Sequence, residues 1–190
     1  MKGRILWLAA MAASLILAGR IGTMNIWRQV LERAIEPACG LPGYLHDTTA
    51  EEKWREIAPE YMADAVKEIN SYPEVALAWA GYLGMGYAAL WDKNWRKHSR
   101  DGYSKMLGSR GFDDMDEHIV RDVIGFHLES KEARNIEDMM RRLGETALTL
   151  IRRERIEPQS PMAFHVYARV VKVMFKIGAA VELKRLGYKF

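Results

Sequence analysis

The sequence predicts an all-α fold, a helical bundle of about six helices with an N-terminal hydrophobic segment. Three observations predict it. Apolar residues recur at three- and four-residue intervals along most of the chain, the spacing of one helix face. Proline and capping residues punctuate those runs at helix-length intervals. No run alternates apolar and polar residues as a half-buried strand would, and no segment repeats at a fixed period. With 190 residues, 49% hydrophobic and including six Trp and eight Tyr, the chain can bury a core, which excludes wholesale disorder.

The elements follow in order. Lys2 and Arg4 precede an uncharged run from Ile5 to Gly19, closed by Arg20. Fifteen helical residues rise only about 22 Å, short of the ~30 Å hydrocarbon core. Residues 1–23 are therefore read as a hydrophobic targeting or membrane segment. A secretory signal, organelle import and a translation start at Met24 all remain open. Trp27, Val30, Leu31 and Ala34 give a first helix, ended by Pro37, and a loop runs from Cys39 to Asp47. Thr49 and Glu52 form a capping box for a helix with Trp54, Ile57, Ala58, Tyr61, Met62, Ala65 and Ile69 on its apolar face, kinked at Pro59. Ser71 and Glu74 offer another cap, with Pro73 in the first turn.

The run from Val75 to Trp91 carries no charge, and Ala76, Ala80, Gly84 and Ala88 fall on one stripe of small residues. Such a stripe lets a second helix approach closely. Residues 75–91 read either as a second membrane helix or as a buried helix of a bundle. Residues 24–98 form an N-terminal helical region and 99–190 a C-terminal one. The latter begins with a Gly-rich basic loop from Ser99 to Phe112. Asp113 or Asp114 is expected to cap a helix bearing Ile119, Val120, Val123 and Ile124. A further helix shows Ile136, Met140, Leu143, Ala147 and Leu150, and Pro158 ends it. Ser160 and Pro161 open the last helix, with Phe164, Tyr167, Val171, Met174, Ile177 and Val181 on its expected core side.

The net charge of +3 is too small to imply nucleic acid, but it is unevenly spread. Residues 92–112 carry six basic against two acidic side chains, and residues 161–190 six against one. Two basic segments on an acidic body suit an anionic surface or a solvated helix face. Cys39 is the single cysteine of the chain, which excludes an intramolecular disulfide and a Cys-based zinc or iron–sulfur site. Asp114, His118 and Asp122 share a helix face at four-residue spacing, but that face opposes Ile119, Val120 and Val123 and points to solvent or a partner, whereas metal sites in bundles project inward. Glu56, Glu60 and Asp64 read as a solvated stripe. Gly81, Gly84 and Gly86 lie inside a helical run, so a nucleotide-binding loop fails its context. The absence of a Glu-x-x-His pair argues against a ferritin-like metal enzyme.

The segment Asp101-Gly-Tyr-Ser-Lys-Met-Leu-Gly-Ser-Arg-Gly-Phe-Asp-Asp114 resembles the 14 kDa subunit, subunit 7, of mitochondrial respiratory complex III, the ubiquinol–cytochrome c reductase. The matching positions are Gly102, Tyr103, Lys105, Leu107, Gly108, Asp113 and Asp114. Val120-Arg-Asp-Val-Ile124 looks like the family's next amphipathic turn. Ala147 to Leu150, Arg152, Arg153, Ile156 and Pro158 resemble the end of its following helix. The resemblance covers about residues 96–158. The chain departs from the family pattern by an extra residue near Met106. Phe126 to Glu129 stand in place of a Leu-Pro pair, and the spacing to Ala147 is longer. The long hydrophobic leader is foreign to the family, and a basic last helix replaces its acidic tail.

The resemblance implies a non-catalytic accessory subunit without cofactor or metal, bracing cytochrome b and other complex III subunits in electron transport on the matrix side of the mitochondrial inner membrane, with anionic phospholipid as a further contact. It makes Gly102, Tyr103, Lys105, Gly108, Arg110, Asp113 and Asp114 the expected partner-binding residues, with Tyr103 as an aromatic anchor. The alternative is a membrane-tethered helical scaffold or interaction module unrelated to respiration, in a bacterial membrane or the cytoplasm.

Overall fold

The structure, a computed structural model, describes residues 47–157 and 160–188. Among these residues there are five helices and no strand. The hydrophobic segment 1–23 and the helix expected around Trp27 to Ala34 lie outside the described residues.

Helices α1 (Asp47–Ser71) and α2 (Pro73–His98) form an antiparallel hairpin. The Tyr61 hydroxyl donates to the Ala76 carbonyl, and Lys53 reaches the Ser99 carbonyl at 2.8 Å. α1 opens two residues before the expected Thr49. Ser71 closes α1 instead of capping α2, and Tyr72 takes the capping position without a side-chain bond. Pro73 sits in the first turn as expected, where its missing N–H costs nothing. α1 continues through Pro59, an exposed position where water can satisfy the carbonyl that loses its partner. The break occurs instead in α2, at Asn94 (φ −174°, ψ 88°).

α2 is the axis of the bundle. From Ala76 to Trp91 every residue is buried except the half-buried Trp79. Such all-round burial explains why the run carries no charge. Among the described residues no helix is long and apolar enough to cross a membrane. α5 (Pro161–Arg185) runs parallel to α2. The Tyr167 hydroxyl donates to the Pro73 carbonyl at one end, Ala179 and Leu183 pack on Ala88 and Trp91, and the Tyr188 hydroxyl reaches Asp92 at 2.7 Å at the other. Between these points the two backbones touch. A methyl on Gly178 would lie 1.8 Å from the Gly81 carbonyl oxygen, and one on Gly84 1.9 Å from that of Phe175. The small-residue stripe of α2 is thus a buried helix crossing.

The buried side of α5 is Tyr167, Val171, Met174, Phe175, Gly178, Ala179, Glu182 and Leu183. Tyr167, Val171 and Met174 are buried as expected, and Ile177 and Val181 pack at the edge of the core, but Phe164 is half exposed, and the closest approach to α2 is made by Phe175, Gly178 and Ala179 instead. α4 (Lys131–Arg153) packs antiparallel to α2 through the face read from its spacing. Ile136, Met140, Leu143, Ala147 and Leu150 are all buried, and Gly144 lies against the Glu74 carbonyl. Ser130 and Ser160 cap α4 and α5, each accepting the N–H three residues on at 3.1 Å.

The helix expected after Asp114 is instead one α turn, α3 (Met115–His118), continuing as a π turn (Ile119–Ile124). The Val120 carbonyl accepts both the Gly125 and Phe126 N–H groups, and Gly125 (φ 98°) ends the segment. Lys93 donates to the Val123 carbonyl, so α2 closes the terminus of this wide turn. Charge joins the periphery. Glu51 accepts Lys172 at 2.5 Å and Lys176 at 3.1 Å, tying α1 to α5. Burial alone would raise the Glu51 pKa, but the two ammonium groups outweigh it and lower it. Glu182, fully buried, is held in the fork of Arg185, whose guanidinium lies 4.8 Å from the Phe126 ring centre.

Candidate functional site

The residues expected to bind a partner lie on the connection from α2 to α3, and its sequence fixes it at several points. Tyr103–Met106 and Phe112–Asp114 each form a 3-10 turn. Between them Gly108 and Gly111 make an isolated bridge, the Gly111 N–H meeting the Gly108 carbonyl at 3.2 Å. Gly111 has φ 71°, a conformation that side-chain-bearing residues resist.

Asp114 sits inside this turn. Its carboxylate accepts the Arg110 N–H at 3.2 Å on either oxygen and the Ser109 hydroxyl at 3.2 Å. A methyl on Gly108 would lie 2.4 Å from the carboxylate carbon. Glycine at 108 is therefore required for space, while glycine at 111 is required for backbone angle. The expected capping role is corrected: neither Asp113 nor Asp114 caps α3, because the Asp114 carboxylate turns back to the loop's own N–H groups. Burial alone would raise the Asp114 pKa. Hydrogen bonds from Arg110 and Ser109, and the Arg110 guanidinium 3.7 Å away, overcome that and hold it below the usual carboxylate range.

Tyr103 is corrected as well. It is 2% exposed and stands edge-on to Tyr61 with ring centres 6.1 Å apart, so it anchors the loop to its own core. Its hydroxyl makes no hydrogen bond of ordinary length among the described residues, and burial, with the nearby Asp64 carboxylate, pushes its pKa up. Met106 is buried against Gly86, and Phe112 packs on Trp79 with ring centres 4.6 Å apart. Of the expected set, Lys105, Arg110 and Asp113 face solvent, while Gly102 and Gly108 are half-buried backbone positions. Arg110 lies 3.6 Å from Glu117, and Lys105 makes no ion pair among the described residues.

Two further side chains hold the loop, and sequence reasoning missed both. Lys53, 4% exposed, donates to the Ser99 carbonyl, to the Asp101 carbonyl at 3.4 Å and to Glu56 at 2.6 Å. Its ammonium lies 5.5 Å from the Tyr87 ring centre and 5.7 Å from that of Trp95. The signal was its place in line with Ile57, Tyr61 and Ala65, where a lysine on a core stripe needs acceptors. His118 places one ring nitrogen 3.2 Å from the Lys105 carbonyl and the other 2.9 Å from Asp122. Asp122 also takes both prongs of Arg121, at 3.0 and 2.8 Å. The shared face of Asp114, His118 and Asp122 is thus divided between the loop turn and an ion-paired cluster. Among the described residues no group of three His, Cys, Asp or Glu side chains is gathered as a metal set.

The geometry yields a rigid exposed loop that presents two cations and one carboxylate from a fixed backbone. No family model, curated protein or solved structure matches the chain.

Proposed function

We propose that this chain is a non-catalytic helical accessory subunit that docks onto a larger complex through the segment Gly102–Asp114. The observation that carries the reading is the pinned loop. A loop already held by Lys53, Tyr103, Asp114 and His118 loses little freedom on binding, so its exposed Lys105, Arg110 and Asp113 can select a partner at low entropic cost. The motif resemblance over about residues 96–158 directs the reading to complex III of the mitochondrial respiratory chain, with cytochrome b as partner on the matrix side of the inner membrane. The uncharged run from Ile5 to Gly19 favours a second reading, a membrane-tethered helical scaffold unrelated to respiration.

Tagged full-length chain, purified from mild-detergent extracts of its native cells, separates the two. The first reading expects cytochrome b in stoichiometric yield, and its absence sinks that reading. Lys105→Glu with Asp113→Lys, two exposed side chains without an ion pair among the described residues, should cut recovery of the complex about tenfold or more while the melting temperature stays that of the parent. Recovery at parental yield would show that the loop is not the contact. Tyr103 is left out of this test, since its truncation opens the core.

A further inference from the structure

The hydrogen-bond partners of His118 among the described residues are two acceptors. Its Nε2 lies 3.2 Å from the Lys105 carbonyl oxygen and its Nδ1 2.9 Å from an Asp122 carboxylate oxygen. A carbonyl cannot donate, and Asp122 is held ionised by both prongs of Arg121. A neutral imidazole carries one N–H and can bond one of the two oxygens. Both bonds form together only when the ring is an imidazolium. His98 and His127 make no such demand. His98 has Asp101 at 2.7 Å, which one N–H satisfies, and the Nδ1 of His127 accepts the Glu129 N–H at 3.4 Å, as an unprotonated nitrogen does. The charged groups near His118 are otherwise engaged. Asp114 and Glu117 lie 3.7 and 3.6 Å from the Arg110 guanidinium, Asp116 accepts the Glu117 N–H at 2.9 Å, and the Lys105 side chain is exposed. The Lys105 carbonyl belongs to the turn Tyr103–Met106, so the ring bridges the docking loop and the π turn.

We propose that His118 is a proton-dependent clasp on the docking loop: protonated, it ties the Lys105 carbonyl to Asp122, and deprotonated, it keeps Asp122 and releases the loop. The clasp rests on geometry alone, and its consequence for binding rests on the docking function proposed above. On losing one proton the ring keeps the N–H that faces the carboxylate, since a bond to a charged acceptor is stronger than one to a carbonyl. Nε2 then turns a lone pair toward the Lys105 oxygen, and the two repel. Histidine is the side chain whose charge changes between about pH 5 and about pH 8. The clasped loop holds the extra proton, so the clasp is present on the acid side of the His118 titration and is lost as the pH rises through it. A partner that selects the clasped loop takes up that proton and binds more weakly at higher pH.

The isolated full-length chain, labelled for NMR, should be titrated from about pH 5 to about pH 9. The Lys105 carbonyl carbon should shift with the same midpoint as the His118 ring nitrogens, and above that midpoint Nε2 should be the unprotonated nitrogen. Protection of the Lys105 and Leu107 amides, which close the turn on Gly102 and Ser104, should fall there about fivefold, the order of one net hydrogen bond, while α2 and α5 keep theirs. In His118→Gln the Lys105 carbonyl should no longer titrate. A Lys105 carbonyl that stays still while His118 titrates overturns the clasp, and so does a neutral ring whose proton remains on Nε2. No partner enters this titration, so it decides the clasp even where docking fails. Recovery of the complex on the tagged chain, at about pH 6 and about pH 8, reads the consequence. The parent should lose about fivefold at the higher pH, and His118→Gln should be recovered equally at both. A parent recovered equally at both overturns the control of docking by His118. A parent that brings down no complex at either pH sinks the docking function instead, with the clasp decided by the titration.

Discussion

The crossing of α2 with α5 and the loop from Ser99 to Asp114 are both fixed in place, by opposite means. The crossing is held by the absence of side chains. Gly84 and Gly178 let the two backbones meet, and dispersion and apolar burial supply the attraction. The loop is held by directed polar groups, each reaching a specific backbone atom: Lys53 to Ser99, Asp114 to Arg110, His118 to Lys105. A packed crossing is indifferent to pH and salt, and any added atom harms it. A polar clamp depends on charge state, and it excludes bulk only where a side chain would meet its own atoms, as at Gly108 beside Asp114. A bundle built this way has a rigid axis and a chemically adjustable periphery, and the exposed charges belong to the periphery.

The largest expected effect breaks the crossing. Gly178→Ala places a carbon 1.8 Å from the Gly81 oxygen, and Gly84→Leu drives a branched side chain into the Phe175 carbonyl. Ordinary overpacking costs ~1–3 kcal/mol. Here the obstacle is backbone that cannot turn aside, so Gly178→Ala should cost at least about 3 kcal/mol and Gly84→Leu should leave little folded protein. The control is Gly102→Ala, where nothing lies within 4 Å of the added methyl and no loss is expected. Urea unfolding of the three variants tests this, and a Gly178→Ala protein as stable as its parent would mean that the helices do not touch.

The two regions also differ in how well the sequence shows them. The axis was legible. Ala76, Ala80, Gly84 and Ala88 stand at four-residue spacing in an uncharged run, which marks a close helix contact but fits a membrane helix as well as a buried one, and only the burial on all sides decides between them. α4 was legible for the same reason, since its apolar positions are large and regularly spaced. α5 was legible in part: Tyr167, Val171 and Met174 are on the buried side as their spacing says, but Phe164 is half exposed, and the close contact of Gly178 and Ala179 gives no periodic signal of its own. The loop was legible only as a loop. Tyr103 and Asp114 carry no local sign of pointing inward, and their partners Tyr61 and Arg110 become partners only when α1 lies against α2 and the turn closes. Polar clamps pair residues distant in sequence or turned back on themselves, and periodicity does not register them.

A smaller effect sharpens the comparison within the loop. Asp114→Ala removes the acceptor for the Arg110 N–H and the Ser109 hydroxyl and leaves both facing the space beside Gly108. The damage should stay local. Amide exchange at Arg110 and Gly111 should speed up, while protection along α2 and α5 stays at parental levels and the melting temperature falls by less than in Gly178→Ala. If exchange accelerated equally in the helices, the loop and the axis would be one cooperative unit, and the distinction between them would fail.

The smallest effect is a pH dependence that only the polar region should show. Hydrogen bonds from Arg121, and more weakly from His118, act against burial to lower the Asp122 pKa to about 2, below the ~3.9 of an unfolded aspartate. A folded-state pKa below the unfolded one means that the native state binds the proton less readily. The stabilisation from the Asp122 cluster is therefore fully present above about pH 4 and is lost as the pH falls toward 2. Asp122 is 44% exposed, so solvent screens the pair and the effect is small. Asp122→Asn keeps the shape and removes the titration. Its urea midpoint should fall less steeply than the parent's below pH 4, while Glu51 and Asp114, also lowered, keep the remaining acid sensitivity in both proteins. Above pH 5 the variant should be slightly less stable, and His118, now without a carboxylate partner, should release the Lys105 carbonyl more often. Parallel midpoint curves for the two proteins would show that Arg121 and His118 do not hold Asp122 in solution, leaving Asp114 and Lys53 as the loop's polar clamps.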